Sequence, residues 1–225
     1  MIYVVKHKPY TLPQLPEGYR SICVGQYSEP DTINCSVGDN IEQLNIKLNE
    51  LTAFYWLWKN TDDPIIGVDH YRAYLTNRNK QILTTPEIND VLRDHDAICC
   101  EYGIASHIGI NATLSGVRGG PVAFDIVRRR VPVGYLDAFD AVMNGSRFYI
   151  ANLIITRREI FDAYCSWLFS FIIDAAKEYR PQPGYSFQER RAVGYIAETL
   201  LTVWLEYNNI SVAKSSMLTL GYDSL

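Results

Sequence analysis

A short and wholly apolar run at residues 65–68 constrains the fold of this chain more than any other feature. It follows residues 42–60, in which Leu44, Leu48 and Leu51 begin a series of apolar side chains spaced three and four residues apart. That spacing predicts an amphipathic helix. A strand without polar residues is typical of a parallel sheet that is covered on both faces. Together the two segments predict an α/β fold.

The same alternation of strands and helices continues along the chain. It predicts one domain, residues 1–225, in which a mainly parallel central sheet is flanked by helices. Further strands are predicted at residues 2–5, 21–26, 97–101 and 148–155, and further helices at residues 85–93, 136–143, 158–178 and 188–208.

Charge and hydropathy exclude several classes of protein. The net charge is -4, so no strong basic field is available to hold a nucleic-acid backbone. The apolar run nearest to membrane length, residues 163–176, contains Asp174 and is too short to span a bilayer. No signal peptide is recognisable, because residues 6–8 are polar and interrupt the first apolar run. We therefore expect a cytoplasmic protein, and a peripheral contact with the inner face of the cytoplasmic membrane stays open.

Polar residues stand where the predicted strands end. Ligands of α/β proteins bind beyond the carboxyl ends of parallel strands. This rule selects Lys6, His7 and Lys8 after the first strand, residues 69–72 after the central strand and, less directly, Asn152. Two ammonium groups and an imidazole suit an anionic ligand. A solvated basic turn is the alternative interpretation of the first group.

Asp69, His70, Tyr71 and Arg72 form the most informative motif. A diphosphate site in this place usually carries paired carboxylates that bind a divalent cation, but the second carboxylate is missing here. A guanidinium such as that of Arg72 binds phosphate through two hydrogen bonds and keeps its charge. No cofactor or metal is therefore expected to be required, although Mn²⁺ or Mg²⁺ stays open as an addition. An ion pair between Asp69 and Arg72 that only completes the strand is the alternative.

Asp39 and Asn40 follow Gly38, directly before the helix predicted at residues 42–60. Both residue types cap helices, which is one interpretation. Hydrogen bonds to a base or a ribose are the other.

The last predicted helix carries Arg191, Gly194 and Glu198 on one face. A glycine inside a helix costs about 1 kcal/mol relative to alanine, so some group is expected to approach Gly194 closely. Glu198 lies among apolar residues, which raises the pKa of a carboxyl and suits a general base. A carboxylate that is merely paired with an arginine is the alternative.

Six blocks of the sequence together resemble one bacterial family. They are residues 2–10 (IYVVKHKPY), 38–41 (GDNI), 50–60 (ELTAFYWLWKN), 67–72 (GVDHYR), 161–169 (FDAYCSWLF) and 191–198 (RAVGYIAE). The family has long been catalogued as a domain of unknown function in capsule and O-antigen clusters. Its characterised members are glycosyltransferases, including galactofuranosyl- and galactosyltransferases. The resemblance covers nearly the whole chain apart from residues 103–147.

The resemblance implies a GT-A-like fold and a nucleotide-sugar donor, with UDP as the expected nucleotide. On this basis Glu198 is predicted as the catalytic base and Arg72 as the second catalytic residue, while Asn152 and Arg191 are predicted to face the acceptor. Residues 103–147 are predicted to be mobile or acceptor-facing. The predicted donor site consists of Lys6, His7, Lys8, Asp39, Asn40, Asp69, His70 and Tyr71.

Three positions depart from the family pattern, namely Ala73, Leu153 and Thr199. The predicted function is transfer of a sugar, galactofuranose or galactose, from a UDP-sugar to a hydroxyl of a glycan or lipid-linked surface-polysaccharide precursor. A non-catalytic subunit that binds a nucleotide sugar or a glycan is the alternative. An interaction module with a degenerate site is the third interpretation.

Overall fold

The computed structural model describes residues 1–104 and 119–221. The strands in these residues are β1 (Ile2–Lys6), β2 (Tyr19–Cys23), β3 (Ile33–Asn34), β4 (Ile65–His70), β5 (Ala73–Thr76), β6 (Ala97–Cys100), β7 (Tyr102–Ile104), β8 (Arg147–Tyr149), β9 (Ile154–Arg157) and β10 (Val212–Thr219). The α-helices are α1 (Asn45–Leu48), α2 (Leu51–Asn60), α3 (Thr85–Asp94), α4 (Gly120–Arg128), α5 (Leu136–Asn144), α6 (Arg158–Phe169), α7 (Ile172–Glu178), α8 (Phe187–Arg190) and α9 (Ala192–Tyr207).

Helices cover both faces of the main sheet. The larger core lies on the face covered by α1, α2, α4 to α7 and α9, where Phe54, Phe161 and Leu200 are fully buried. On the other face, Ile88 and Leu92 of α3 pack against the sheet. None of the helices in residues 1–104 and 119–221 is both long and apolar enough to cross a membrane.

The first half of the main sheet is parallel, as predicted. Its strands lie in the order β3-β2-β1-β4, and each neighbouring pair is parallel. The carboxyl ends of β1 and β4 therefore meet at one edge, which is where ligands of α/β proteins bind.

The second half of the sheet corrects the prediction of a mainly parallel sheet. Here β4, β5, β10, β6 and β9 close into a barrel-like ring, because β9 pairs with β4 as well as with β6. Only the pairing of β10 with β6 is parallel within this ring. Two residues separate β4 from β5, which is too short for the crossover that a parallel return requires. The chain thus has a mixed α/β fold.

Four predicted elements are interrupted in the structure, and one of them is the helix predicted at residues 188–208, which is divided into α8 and α9. The helix predicted at residues 42–60 breaks at Asn49, whose φ of 52° is left-handed. The helix predicted at residues 158–178 is divided into α6 and α7. The strand predicted at residues 148–155 is replaced by β8, a turn and β9, and Ala151 and Asn152 in that turn have φ values of 61° and 52°. Asparagine tolerates this conformation better than most residues, which permits the turn.

The segment at residues 103–147 is more regular than its glycine content indicated. From residue 119 onward it forms α4, a short 3₁₀ turn and α5, with Ala123, Val127 and Phe139 fully buried. This part packs against the core, and its predicted mobile or acceptor-facing role stays a prediction. Residues 105–118, which carry the rest of that prediction, lie outside the described residues.

Candidate active site

The carboxyl ends of β1 and β4 gather four predicted residues around the ring of Tyr71, which is only 2% exposed. The ring centroids of His7 and His70 lie 5.2 and 5.7 Å from that of Tyr71. Lys8 Nζ and Arg72 Cζ lie 5.9 and 5.8 Å from the same centroid. These five residues, which we call the cationic group, form one side of the candidate site.

Arg191 lies beside the cationic group, at the junction of α8 and α9. Its Nε donates to Asn49 Oδ1 at 2.6 Å, and its Cζ lies 5.3 Å from the Phe187 ring centroid. Burial lowers the pKa of His70 to about 4, and the positive charges of Arg72 and Arg191 add to that shift. His70 is therefore neutral at pH 7, where it donates or accepts a hydrogen bond without adding charge.

The charge of Arg191 also acts on two carboxyl groups, those of Glu50 and Glu198. Glu50 precedes α2 and is 6% exposed, and its Oε1 accepts a 2.7 Å hydrogen bond from Asn152 Nδ2. Burial raises the pKa of Glu50. Burial also raises the pKa of Glu198 to about 8, and the negative charge of Glu50 adds to the rise while Arg191 opposes it. Glu50, Asn152 and Glu198 form the acidic group.

Arg191 joins the two groups electrostatically. Its charge acts on His70 on one side and on both Glu50 and Glu198 on the other. A site of this kind holds an anion on its cationic side and takes up a proton on its acidic side. Group transfer from a phosphate leaving group to a hydroxyl requires both capacities within one site.

A family model described as a domain of unknown function (DUF4422) matches residues 1–209. The chain belongs to this family. The match spans every residue of the cationic and acidic groups.

The chain has the same fold as part of WbbM, a protein named as a bifunctional glycosyltransferase, in its apo structure. The two superpose with a TM-score of 0.83 over 98% of this chain and 45% of WbbM, at 24% sequence identity. The DUF4422 chain thus spans less than half of the WbbM chain, and the likeness at this identity shows the fold. No curated protein sequence matches the chain significantly.

Asp69 of the DUF4422 chain is separated from its neighbours in the motif. It is fully buried and alternates with Val68 and His70 across β4, so it points to the face that is opposite the acidic group. Its Oδ1 accepts a 3.3 Å hydrogen bond from the backbone N–H of Leu75, and its Oδ2 has no partner. The ion pair with Arg72 that the sequence left open therefore does not hold Asp69. Burial raises the pKa of Asp69 to about 8.

Lys6 and Asp39, both predicted in the donor site, are engaged in contacts of their own. Lys6 is 3% exposed, and its Nζ lies 2.7 Å from both carboxylate oxygens of Glu29. Asp39 accepts a 3.1 Å hydrogen bond from Tyr55, and its backbone oxygen accepts one from Asn60 at the end of α2. Since α2 has ten residues, Asp39 lies about 15 Å along the helix from the acidic group.

Asn40 closes a turn in front of the 3₁₀ turn Glu42–Leu44. Its Oδ1 accepts a 3.1 Å hydrogen bond from the backbone N–H of Glu42, while the N-cap position itself is Ile41. Its Nδ2 donates to Gly38 O at 2.8 Å. Asp39 and Asn40 are thus both engaged in hydrogen bonds within the protein, and their role in the donor site stays a prediction.

Sequence reasoning missed the role of Glu50 and Asn49. A helix was predicted through both residues without a role for either, whereas the chain breaks at Asn49 and Glu50 is buried. The one available signal is that Glu50 opens a block rich in buried apolar residues. The predicted close approach at Gly194 does occur, but the approaching groups are Asn49 and the backbone of Lys47.

Within residues 1–104 and 119–221, no three His, Cys, Asp or Glu side chains are grouped as a metal site. Two surface depressions lie away from the candidate site. One is lined by Gln14, Asn77 and Glu87, and the other by Tyr102 and Arg147.

Proposed function

We propose that this chain is a glycosyltransferase of the GT-A type. It transfers a hexosyl residue, galactofuranose or galactose, from a UDP-sugar to a hydroxyl of a glycan or lipid-linked surface-polysaccharide precursor. The proposal is carried by the gathering of Lys8, His70 and Arg72 around Tyr71 at the carboxyl ends of β1 and β4. The fold shared with a protein named as a bifunctional glycosyltransferase supports it.

In the proposed reaction the acceptor oxygen attacks C1 of the donor sugar. The bond between C1 and the diphosphate oxygen breaks, and UDP leaves with the electron pair. Arg72, Lys8 and the neutral His70 bind the diphosphate, since guanidinium and ammonium groups form strong hydrogen bonds with phosphate. The acceptor proton passes to the ionised form of Glu198, which is the minor form at pH 7 and becomes the major form above about pH 8.

The acceptor is proposed to lie beside Arg191 on the acidic side. Asn152 is fully buried and donates to Glu50. Its proposed contribution is to hold the Glu50 side chain in place on the acceptor side. His7 and Tyr71 line the opposite side, where the donor binds. Transfer is proposed to need no divalent metal. Activity is measured in excess EDTA and after addition of Mn²⁺, and we expect the two rates to be the same. The proposed location is the cytoplasm, at the inner face of the cytoplasmic membrane.

Calorimetric titration with UDP tests the donor site. We expect binding by the unmodified protein and affinity about tenfold lower in Lys8→Ala and in Arg72→Ala, because each loses a charged hydrogen bond to phosphate. Arg93→Ala is the matched control, since Arg93 is exposed on α3 and pairs only with Asp90 among the described residues. Failure of every nucleoside diphosphate to bind would remove the basis for the proposed function. Binding without turnover would favour the non-catalytic subunit instead.

A further inference from the structure

The loop that follows β2 carries a carboxylate that is tied to the end of β1. Lys6 is the last residue of β1, and its Nζ lies 2.7 Å from both carboxylate oxygens of Glu29. The Tyr27 hydroxyl also donates to Oε1 of Glu29. Hydrogen bonds from Lys6 and Tyr27 lower the pKa of the Glu29 carboxyl, so it is ionised at pH 7. Glu29 is therefore a negative charge that three hydrogen bonds hold in one position.

Glu29 keeps an acceptor position that its contacts within the described residues do not use. An ionised carboxylate accepts about four hydrogen bonds. Its Oε1 accepts from Lys6 and Tyr27, whereas its Oε2 accepts from Lys6 alone among the described residues. The side chain of Glu29 is 29% exposed, while that of Lys6 is 4% exposed. A bound molecule can thus add a hydroxyl donor to Glu29 without displacing either partner.

Glu29 lies beside the cationic group, on the side of β2. Lys6 and Lys8 are two residues apart, so their Cα atoms are separated by at most about 7 Å. The neighbouring strands follow the order β2-β1-β4-β9. Asn152 directly precedes β9 and is bonded to Glu50, so these two residues lie on the side of β9. A diphosphate on the cationic group therefore has Glu29 on one side and Glu50 on the other.

We propose that Glu29 is a specificity-determining residue for the donor: its carboxylate, fixed by Lys6 and Tyr27 beyond the carboxyl end of β2, accepts a hydrogen bond from a ribose hydroxyl of the nucleoside diphosphate. This inference rests on the proposed function, because it identifies the nucleoside end of the same donor site. The transferred sugar then extends toward β9, away from Glu29.

The topology of the sheet supports a ribose as the ligand. In dinucleotide-binding α/β proteins the phosphates lie at the end of the first strand, and an acidic residue near the end of the parallel neighbour accepts from a ribose hydroxyl. Here Lys8 follows β1, and Glu29 follows β2, which is parallel to β1. A hydrogen bond to an ionised acceptor is stronger than one between neutral groups, so it distinguishes a hydroxyl from a hydrogen atom. Lys6, predicted to bind the donor itself, acts through Glu29 as a positioning residue.

The direct test changes the ligand and leaves the protein unmodified. The full chain is titrated calorimetrically with UDP, 2′-deoxy-UDP and 3′-deoxy-UDP. At least one of the two deoxy nucleotides should bind about tenfold more weakly than UDP, because it lacks the hydroxyl that donates to Glu29. Equal affinities for the three nucleotides would overturn the inference.

A double variant assigns that preference to Glu29. Lys6→Met combined with Glu29→Leu removes the acceptor and both charges, so no unpaired charge is left buried. The variant should bind the three nucleotides with equal affinity. Arg93→Met combined with Asp90→Leu is the matched control, since it removes an exposed ion pair on α3, and it should keep the preference for UDP.

An ion pair that only fixes the loop predicts a different result. Its removal would weaken the binding of all three nucleotides by the same factor and leave the preference for UDP intact, which would overturn the inference. If the double variant does not fold, Glu29→Gln decides, because glutamine still accepts from Lys6 but lacks the negative charge. The preference should then become smaller, and an unchanged preference would contradict the inference.

The inference and the proposed function fail separately. If the unmodified protein prefers UDP to a deoxy nucleotide through Glu29 but consumes no UDP-sugar, the proposed function is wrong and the ribose contact stands. If it consumes a UDP-sugar but binds the three nucleotides equally, the proposed function stands and the ribose contact is wrong.

Discussion

At the scale of single residues, the strand β4 places two adjacent side chains in different environments. His70 faces the candidate site, while Asp69 is buried on the other face with one oxygen lacking a partner. Desolvation disfavours the charged form of each, so the pKa of His70 is lowered and that of Asp69 is raised. Both side chains are therefore neutral at pH 7, although their sequence indicates a charged motif.

The raised pKa of Asp69 makes stability depend on pH. An unfolded aspartate ionises near its ordinary pKa of 3.8, whereas the folded chain keeps the proton up to about pH 8. Folding therefore takes up a proton between these values, and the free energy of unfolding falls as pH rises through this range. The stabilisation is fully present below about pH 4 and is lost as pH passes 8.

The variant Asp69→Asn, which cannot ionise, isolates this contribution. We measure the free energy of unfolding by urea titration between pH 5 and pH 8. As pH rises, that of the unmodified protein should fall more steeply than that of the variant, by about 1 kcal/mol per pH unit. At pH 8 the variant should be the more stable of the two. Parallel curves for the two proteins would show that Asp69 is ionised in the folded state.

At the scale of elements, the break between α1 and α2 shapes the acidic side of the site. Asn49 in its left-handed conformation ends α1, accepts from Arg191 and packs against Gly194 of α9. The break also turns Glu50 inward. Two residues of the site, Glu50 and Arg191, thus depend on one local backbone conformation.

Gly194→Ala tests this arrangement. An added Cβ would collide with Asn49 Nδ2 and lie 3.0 Å from the backbone oxygen of Lys47. We expect a loss of about 1–3 kcal/mol in the free energy of unfolding, because the backbone of α1 must shift. Gly134→Ala is the control, since its Cβ would meet only Tyr207 at an ordinary 3.5 Å. Equal melting temperatures for the two variants would contradict the account, and adding Asn49→Gly to Gly194→Ala should restore part of the loss.

Elements that are determined by local sequence pattern could be predicted, and elements that depend on distant pairing could not. The parallel strands β1 and β4 were predictable, because a wholly apolar run has few alternatives to a buried strand. Residues 42–60 kept their helical spacing on both sides of the break, so periodicity alone did not reveal the left-handed Asn49. Strands β5 and β10 were missed, since their pairing is decided by distant parts of the chain rather than by local pattern.

Similar reasons decided which site residues could be found. His70 and Arg72 directly follow a recognisable strand, and Glu198 lies on a recognisable helix. Glu50 and Asn152 meet across 102 positions of sequence, and no local pattern reports such a contact. The hydrogen bond between Asp39 and Asn60 likewise joins residues 21 positions apart.

At the scale of the whole molecule, the mixed sheet has one parallel edge, where the cationic group lies, and one closed ring. The ring joins β4 to β5, β9 and β10, while α9 runs from Arg191 into the buried core. We propose that the parallel edge transfers sugar with Glu198 as base.

Turnover of a panel of UDP-sugars by the unmodified protein and by Glu198→Gln is the most direct test. Glutamine keeps the size and hydrogen bonding of Glu198 but cannot accept the acceptor proton. We expect the unmodified protein to consume at least one donor, and Glu198→Gln to be slower by about 10² to 10⁴. Its UDP affinity and melting temperature should be unchanged, and the exposed control Glu206→Gln should turn over normally. Normal turnover by Glu198→Gln, or no consumption of any donor by the unmodified protein, would contradict the account.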